Sequence, residues 1–247
     1  MADAPPEPPA PVGATGPWTP ARVTDVRRET SRAKTFRLAV PGATPHLAGQ
    51  HYVVRLRAPD GYVAMRSYSV GSAPDESGEI ELTVERLEDG EVSGYLDEEV
   101  VVGDELEVRG PLGGWFVWPG DTPALLIGGG SGVVPLMSML RLARATGRSD
   151  LVRLVVSVRT PGDLLYADEL PGPETLVVHT RVTPPGATRP AGRLAAGDLA
   201  PLLGALSEDL TVYICGSGGF ADAASAQLAD LGVPVDQIRV ERFGPTA

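Results

Sequence analysis

The pattern of apolar residues changes once along this chain, at Thr122, and a single layer of secondary structure cannot satisfy both halves. Before that point, short runs rich in β-branched and aromatic residues cover Ala21–Arg28, Lys34–Val40, His51–Ala58, Ala64–Val70, Glu79–Leu87 and Glu105–Arg109. Turn residues such as Pro41-Gly42, Pro59-Asp60-Gly61 and Val102-Gly103-Asp104 separate them. Six strands at this spacing suit a small antiparallel β-barrel. After Thr122, Ala124–Ile127 is apolar without alternation, as expected of a strand buried on both faces. Strand-like runs recur at Leu151–Val158, Thr175–Thr180, Thr211–Ile214 and Gln237–Val240, with helical patterns at Val133–Ala145, Asp163–Leu170, Ala195–Leu206 and Phe220–Leu231. Strand alternating with helix predicts an α/β doubly wound parallel sheet. The chain therefore reads as a barrel domain over residues 18–119 and an α/β domain over 120–247, joined at Pro119-Gly120-Asp121. Residues 1–17, rich in Pro, Ala and Gly, lack the apolar bulk to offset ordering entropy and read as a disordered tail.

Bulk properties remove several classes of function. The formal net charge of -11 argues against nucleic acid or an anionic membrane as the main partner. No stretch has the apolar length to span a bilayer, and the N-terminus lacks the pattern of a signal peptide, so a soluble, cytoplasmic protein is expected. With one cysteine, Cys215, the chain has no intrachain disulfide, no multi-cysteine zinc site and no cysteine-ligated iron-sulfur cluster of its own. Charge is unevenly spread: Asp75–Glu107 carries many carboxylates and only Arg86 as a base, whereas Arg22, Arg27, Arg28, Arg32, Lys34 and Arg37 cluster near the start. That cluster is either a patch that steers an acidic partner or, the reading favoured here, a solvated face of two adjacent strands.

Several short stretches carry chemistry. In Met65–Pro74 the strand period puts Arg66 and Tyr68 on one face and Ser67 and Ser69 on the other, which sets a cation beside an aromatic face with a hydroxyl next along. A flat anionic ligand suits that set. Gly90-Glu91-Val92-Ser93 opens a predicted helix with Ser93 in capping position and acids near its first turns, and free N–H groups at such a terminus hold anions. Gly128-Gly129-Gly130-Ser131-Gly132 lies between the first strand and first helix of the second half, where the lack of Cβ atoms lets backbone approach a pyrophosphate. Cys215 and Gly216 end a sheet strand, the place where α/β folds bind ligands.

Arg66-Ser67-Tyr68-Ser69 resembles the Arg-x-Tyr-Ser flavin motif of the ferredoxin-NADP reductase family, and Ser72 fits its extended form. Gly90-Glu91-Val92-Ser93 is similar to that family's Gly-x-x-Ser over the flavin pyrophosphate. Gly110-Pro111-Leu112-Gly113-Gly114-Trp115-Phe116 resembles the turn ending its flavin domain, with Trp115 or Phe116 in the aromatic place. Gly129, Gly130, Ser131, Gly132 and Pro135 fit its Gly-Gly-x-Gly-x-x-Pro nucleotide loop, and Cys215-Gly216 fits its Cys-Gly motif beside the nicotinamide. Glu241-Arg242-Phe243 resembles its Glu-x-aromatic tail; a strand-end aromatic packed on the barrel is the alternative for Phe243.

The resemblance implies an FAD-containing NAD(P)H oxidoreductase with Ser69, Cys215 and Glu241 around the transfer point. Arg66, Ser67, Tyr68, Ser69, Gly90, Val92 and Ser93 would hold FAD. Arg159, Arg181 and Arg193 fall where bacterial relatives bind the 2'-phosphate, which favours NADPH, with NADH as the alternative. The three histidines, His46, His51 and His179, are expected in structural roles. Electrons would pass singly to ferredoxin or another small redox protein. The rivals are reduction of a diffusible acceptor such as a quinone, free flavin or oxygen, and a non-catalytic relay or nucleotide-sensing subunit.

Overall fold

Alternation gives each of the first six strands one apolar face, and the computed structural model, which describes residues 16–206 and 209–244, joins those faces inside one antiparallel sheet. The strands are β1 (Thr19–Thr30), β2 (Ala33–Ala39), β3 (His51–Arg57), β4 (Val63–Ser69), β5 (Glu79–Glu85) and β6 (Glu105–Leu112), paired in the order β4-β3-β6-β1-β2-β5. A bridge between Val70 and Leu82 brings the two edge strands together and closes the barrel. Its interior holds Val23, Phe36, Leu38, Tyr52, Val54 and Leu82, and helix α1 (Glu91–Glu98) packs Val92 and Leu96 onto them. The tail expected over residues 1–17 falls, except for Gly16 and Pro17, outside the described residues.

In the second half, β7 (Ala124–Gly129), β8 (Val152–Val158), β9 (Thr175–His179), β10 (Thr211–Gly216) and β11 (Ile238–Arg242) form a parallel sheet ordered β11-β10-β7-β8-β9. Helix α2 (Val133–Ala145) covers the face turned to the barrel, and α3 (Ala196–Leu203) and α4 (Gly218–Asp230) cover the other. Strand order reverses between β7 and β10, so a crevice opens at their C-terminal ends, where such sheets bind ligands. Among the described residues, no helix is long and apolar enough to cross a membrane.

The two units share a core. The cluster under α2 also takes in Ala33 and Ala48 from the barrel and Phe116 and Trp118 from the connection. That connection is fixed at both ends: Trp118 N donates to Ala48 O at 3.1 Å, Trp118 Nε1 to Thr122 O at 2.9 Å, and Tyr213 Oη to Val117 O at 2.9 Å. Strand β5 bears the mark of the interface. Its inward residues Ile80, Leu82 and Val84 alternate with polar Glu81 and Thr83, yet these too are buried, because the α/β unit lies over them.

Three expectations are corrected. No α-helix forms over Asp163–Leu170: Asp163 Oδ2 accepts from Thr160 N and Oγ1 at 2.9 and 2.7 Å, closing one 3-10 turn. Tyr166 then adopts a φ of 55°, which no right-handed helix accommodates. Ser93 is not the cap of α1; Gly90 is, and the Ser93 hydroxyl donates back to Gly90 O at 3.2 Å. Nor do the acids crowd the first turn of α1, which has only Glu91. Asp97 and Glu98 sit at its far end because cations wait there: Asp97 pairs with Arg28, Lys34 and Arg86 at 3.4 to 3.7 Å, and Glu98 with Arg86 at 2.6 Å.

The basic cluster of β1 and β2 thus meets carboxylates of its own barrel, with Arg27 and Arg37 on Glu81 at 3.8 and 2.8 Å as well. The Asp97 carboxylate is mostly buried, so removing it takes the ion-pair partner from the mostly buried Lys34 and leaves it the Asp97 backbone carbonyl. Asp97→Ala should lower unfolding free energy by about 1–3 kcal/mol in urea titrations, against about 0.5 kcal/mol or less for the exposed Arg57→Ala. Equal small losses would show that the cluster is mere solvated charge.

Candidate functional site

Two half-sites form, one on each sheet. On the barrel, Arg66 stands on β4 opposite Val54 of β3, and Tyr68 opposite Tyr52. Tyr68 packs against the barrel core, and burial pushes its phenol up to about 12, so it remains a neutral flat ring at any physiological pH. Arg66 is exposed and donates only to the adjoining Met65 O at 2.7 Å; among the described residues no carboxylate pairs with it. Tyr62, which feels the charge of Arg66, donates its hydroxyl to Glu91 of α1 at 3.1 Å, so the guanidinium and the first turn of α1 face the same region. No side chain caps that turn. An unpaired cation beside uncapped N–H groups and an aromatic face fits a diphosphate attached to a planar ring. Ser67 turns to the outer face, where it lines a cavity with Trp18, Val53, Met65 and Arg109 that the Arg66 side chain also borders. Ser69 lies across from His51 on β3.

On the sheet, the glycine loop runs from β7 through a 3-10 turn (Gly130–Gly132) into α2, with Pro135 in the first turn of the helix. Gly130 has a φ of 56° and open space where a Cβ would stand, which leaves backbone exposed to a ligand. Gly132 is required for a different reason: a Cβ there would lie 2.1 Å from the Cys215 carbonyl oxygen. Gly129 and Gly216 press on the Phe220 ring of α4, where Cβ atoms would stand at 2.7 and 2.6 Å. Cys215 is fully buried and pairs in register with Glu241 of β11. Burial and the nearby Glu241 raise the thiol well above its usual range, so it stays protonated and packs as a small core residue. Burial also lifts the Glu241 carboxyl to about 7. Phe243 is partly exposed beyond β11, its N–H on Gly216 O at 3.1 Å.

One chain of contacts connects the halves. Ser69 leads through Val70 to Gly71, where an added Cβ would lie 3.6 Å from Val134 in the first turn of α2. Val134 in turn follows Gly132, the residue against Cys215. The Ser69 end of β4 and the Cys215 end of β10 therefore approach a common cleft.

The arginines divide. Arg159 and Arg181 are exposed at the ends of β8 and β9, joined by Arg181 N donating to Arg159 O at 2.9 Å. Exposed Arg193 sits in a loop pinned back to β9, since Gly192 N donates to His179 O at 3.0 Å. Arg189 is committed elsewhere, bidentate to Asp198 at 2.8 Å. Burial lowers the pKa of all three histidines, so they are neutral near pH 7. Sequence patterns missed the packing role of Phe220 against Gly129 and Gly216, legible only as an aromatic four residues after Gly216. They also left Trp115 and Phe116 undecided; Phe116 is the buried one, edge-on to Tyr213 at 5.3 Å.

Residues 20–117 match the oxidoreductase FAD-binding domain family and residues 126–226 the oxidoreductase NAD-binding domain family. The propane 2-monooxygenase reductase component of Rhodococcus jostii is 31% identical over 238 residues, covering 90% of this chain and 62% of that protein. NADH oxidoreductase HCR of Escherichia coli is 34% identical over 220 residues, covering 88% and 66%. The chain thus spans less than two thirds of the length of either relative. The flavohem-like FAD/NAD-binding domain of nitric oxide dioxygenase from Vibrio cholerae shares the fold, with a TM-score of 0.80 at 24% identity over 92% of this chain and 99% of that one.

Glu241 supplies a pH test. Its folded pKa of about 7 lies above the ordinary 4.5, so the folded state binds the extra proton. The stability this carries is whole below about pH 4.5 and is lost as pH rises through about 7. In flavin-free protein, Glu241→Gln should therefore gain on the native chain in Tm between about pH 5 and 8. A Tm difference that stays constant across that range would show Glu241 to be ordinary.

Proposed function

This chain belongs to the ferredoxin-NADP reductase family of FAD- and NAD-binding oxidoreductases, and from that premise we propose that it moves electrons from NADPH through FAD to a separate acceptor, ferredoxin or another small redox protein. The observation that carries this reading is the seating of the flavin-motif strand end on the nucleotide-loop helix, where Arg141 Nη1 donates to Gly71 O and Ser138 Oγ to Ser72 O, both at 2.7 Å. We take residues 18–119 as the FAD-binding unit and 120–247 as the nucleotide-binding unit, and the cytoplasm as the site of action.

Bound FAD supplies the redox chemistry, accepting two electrons with a proton from the nucleotide and releasing electrons one at a time. The protein binds and orients. Arg66 and the first turn of α1, with Gly90, Val92 and Ser93, neutralise the flavin diphosphate. Tyr68 supports the ring, Ser67 contributes backbone, and Ser69 offers a hydroxyl to the reacting edge. Gly129, Gly130, Ser131, Gly132 and Pro135 take the nucleotide diphosphate at the mouth of α2. Cys215 and Gly216 seat the nicotinamide, Phe243 covers the flavin until it arrives, and Glu241 holds or releases a proton near neutral pH. Arg159, Arg181 and Arg193 receive the 2'-phosphate. NADH is the second reading, favoured by the name of the Escherichia coli relative and by the commitment of Arg189 to Asp198.

The acceptor lies outside this sequence, since its one cysteine cannot ligate an iron-sulfur cluster. A monooxygenase-type electron chain is one setting, by analogy with the Rhodococcus jostii relative. Charge steering by the β1–β2 arginines is not part of this reading, because barrel carboxylates already face several of them.

The FAD-reconstituted protein should be yellow and should bleach without oxygen faster under NADPH than under NADH. Arg159→Ala with Arg181→Ala should raise the KM for NADPH about 10- to 100-fold and leave that for NADH nearly unchanged. A colourless preparation that takes up no flavin would favour the sensing subunit, and equal changes for both nucleotides would remove the phosphate site.

A further inference from the structure

Arg141 lies seven residues after Val134 on the stripe of α2 that faces the barrel, and it is the only cation on that stripe. Its guanidinium reaches both units at once. Nη1 donates to Gly71 O at 2.7 Å and to Glu81 Oε2 at 2.8 Å, both on the barrel; Nε and Nη2 grip Glu169 of the α/β unit at 2.8 and 2.5 Å. One turn earlier, Ser138 Oγ donates to Ser72 O at 2.7 Å. Two more links lie alongside: Tyr166 N donates to Glu29 at 3.1 Å, and the Tyr166 and Thr83 hydroxyls meet at 2.5 Å. Glu81 is buried and shared with Arg37.

We propose that Arg141, seconded by Ser138, is a positioning residue: it fixes the end of the flavin-motif strand against the nucleotide-loop helix and so sets the spacing across which the two rings meet. The lever is short. Gly71 and Ser72 follow Ser69 by two and three residues, and α2 begins directly after Gly132, which touches Cys215. Movement at the clamp therefore reaches both half-sites almost undiminished.

Energetics favour a geometric role over a stabilising one. A buried ion pair contributes little net stability against an apolar replacement of equal volume. Apolar contact, however, is non-directional, so Val134 and the Tyr166 ring alone would let the units slide. A planar fork with fixed donors on a carbonyl and two carboxylates has one good register.

The inference rests on the electron-transfer reading, and its test separates the two. Arg141→Met keeps volume, Arg141→Lys keeps charge without the fork, and Ser138→Ala removes one hydrogen bond. All three should still take up FAD and bind NADP+ within about threefold of the native affinity. Stopped-flow reduction of the flavin should slow about 10- to 100-fold in Arg141→Met and Arg141→Lys, and about 3- to 10-fold in Ser138→Ala. The long-wavelength absorbance of the stacked nicotinamide and flavin should weaken in parallel. In flavin-free protein, amide exchange at Gly71 and Glu81 should speed up in the Arg141 variants. Native reduction rates and native absorbance in FAD-loaded variants would overturn the proposal, as would slower reduction explained wholly by a smaller FAD-loaded fraction. If the native protein is reduced by neither nucleotide, the electron-transfer reading falls, and the exchange measurement still decides whether Arg141 holds the units together.

Discussion

The cluster of Glu81, Arg141 and Glu169 joins two sheets that have no backbone hydrogen bonds in common, and the cleft exists only because their relative placement is held. The barrel interior and the far face of the parallel sheet are separate apolar clusters, while the near face of that sheet shares its cluster with the barrel. Neither alone presents a complete site. The contact core under α2, extended by Ala33, Ala48, Phe116 and Trp118, supplies the apolar area of the junction, and the ionic cluster supplies its register.

Division of labour follows from what each architecture exposes. A closed barrel has few free backbone groups, so its anion-binding capacity is concentrated at the uncapped start of α1 and at Arg66. A doubly wound sheet has a crevice at its switch point, beside the glycine loop and the C-terminal ends of two adjoining strands, where Cys215 lies buried in register with Glu241. Glycine serves that crevice by absence: Gly132 lets the loop press on β10, and Gly129 and Gly216 make room for Phe220. Two carboxylates of the barrel each gather several cations: Asp97 draws Arg28, Lys34 and Arg86 of the barrel itself, and Glu81 draws Arg27 and Arg37 of the barrel with Arg141 of the other unit.

Much of this was legible in the residues. Six alternating strands followed by strand–helix repeats foretold the two sheets, and α2 covers the same residues, Val133–Ala145, that its pattern marks. What escaped has a common cause: long-range partners override local signals. The Asp163–Leu170 pattern is amphipathic, but Thr160, Glu29 and Thr83 capture Asp163 and Tyr166 before a helix can form. Ser93 has a capping residue's chemistry and yet bonds backward. Polar Glu81 and Thr83 look like a solvated face, since nothing in the period of β5 tells that another unit covers it. For the same reason, the sequence left the arginine-rich start as a docking patch or, the favoured reading, a solvated face, with no sign of the carboxylates that pair with several of its cations.

In the proposed function, a flavin ring on Tyr68 and a nicotinamide at Cys215 meet in the cleft between the sheets. A crystal structure of the FAD-loaded protein with NADP+ measures that directly. It should place the isoalloxazine against Tyr68 with its reacting edge at Ser69, and the nicotinamide carbon about 3–3.5 Å away beside Cys215. A flavin seated instead on the outer barrel face by Trp18, or a Cys215 walled off from the ring, would contradict the account.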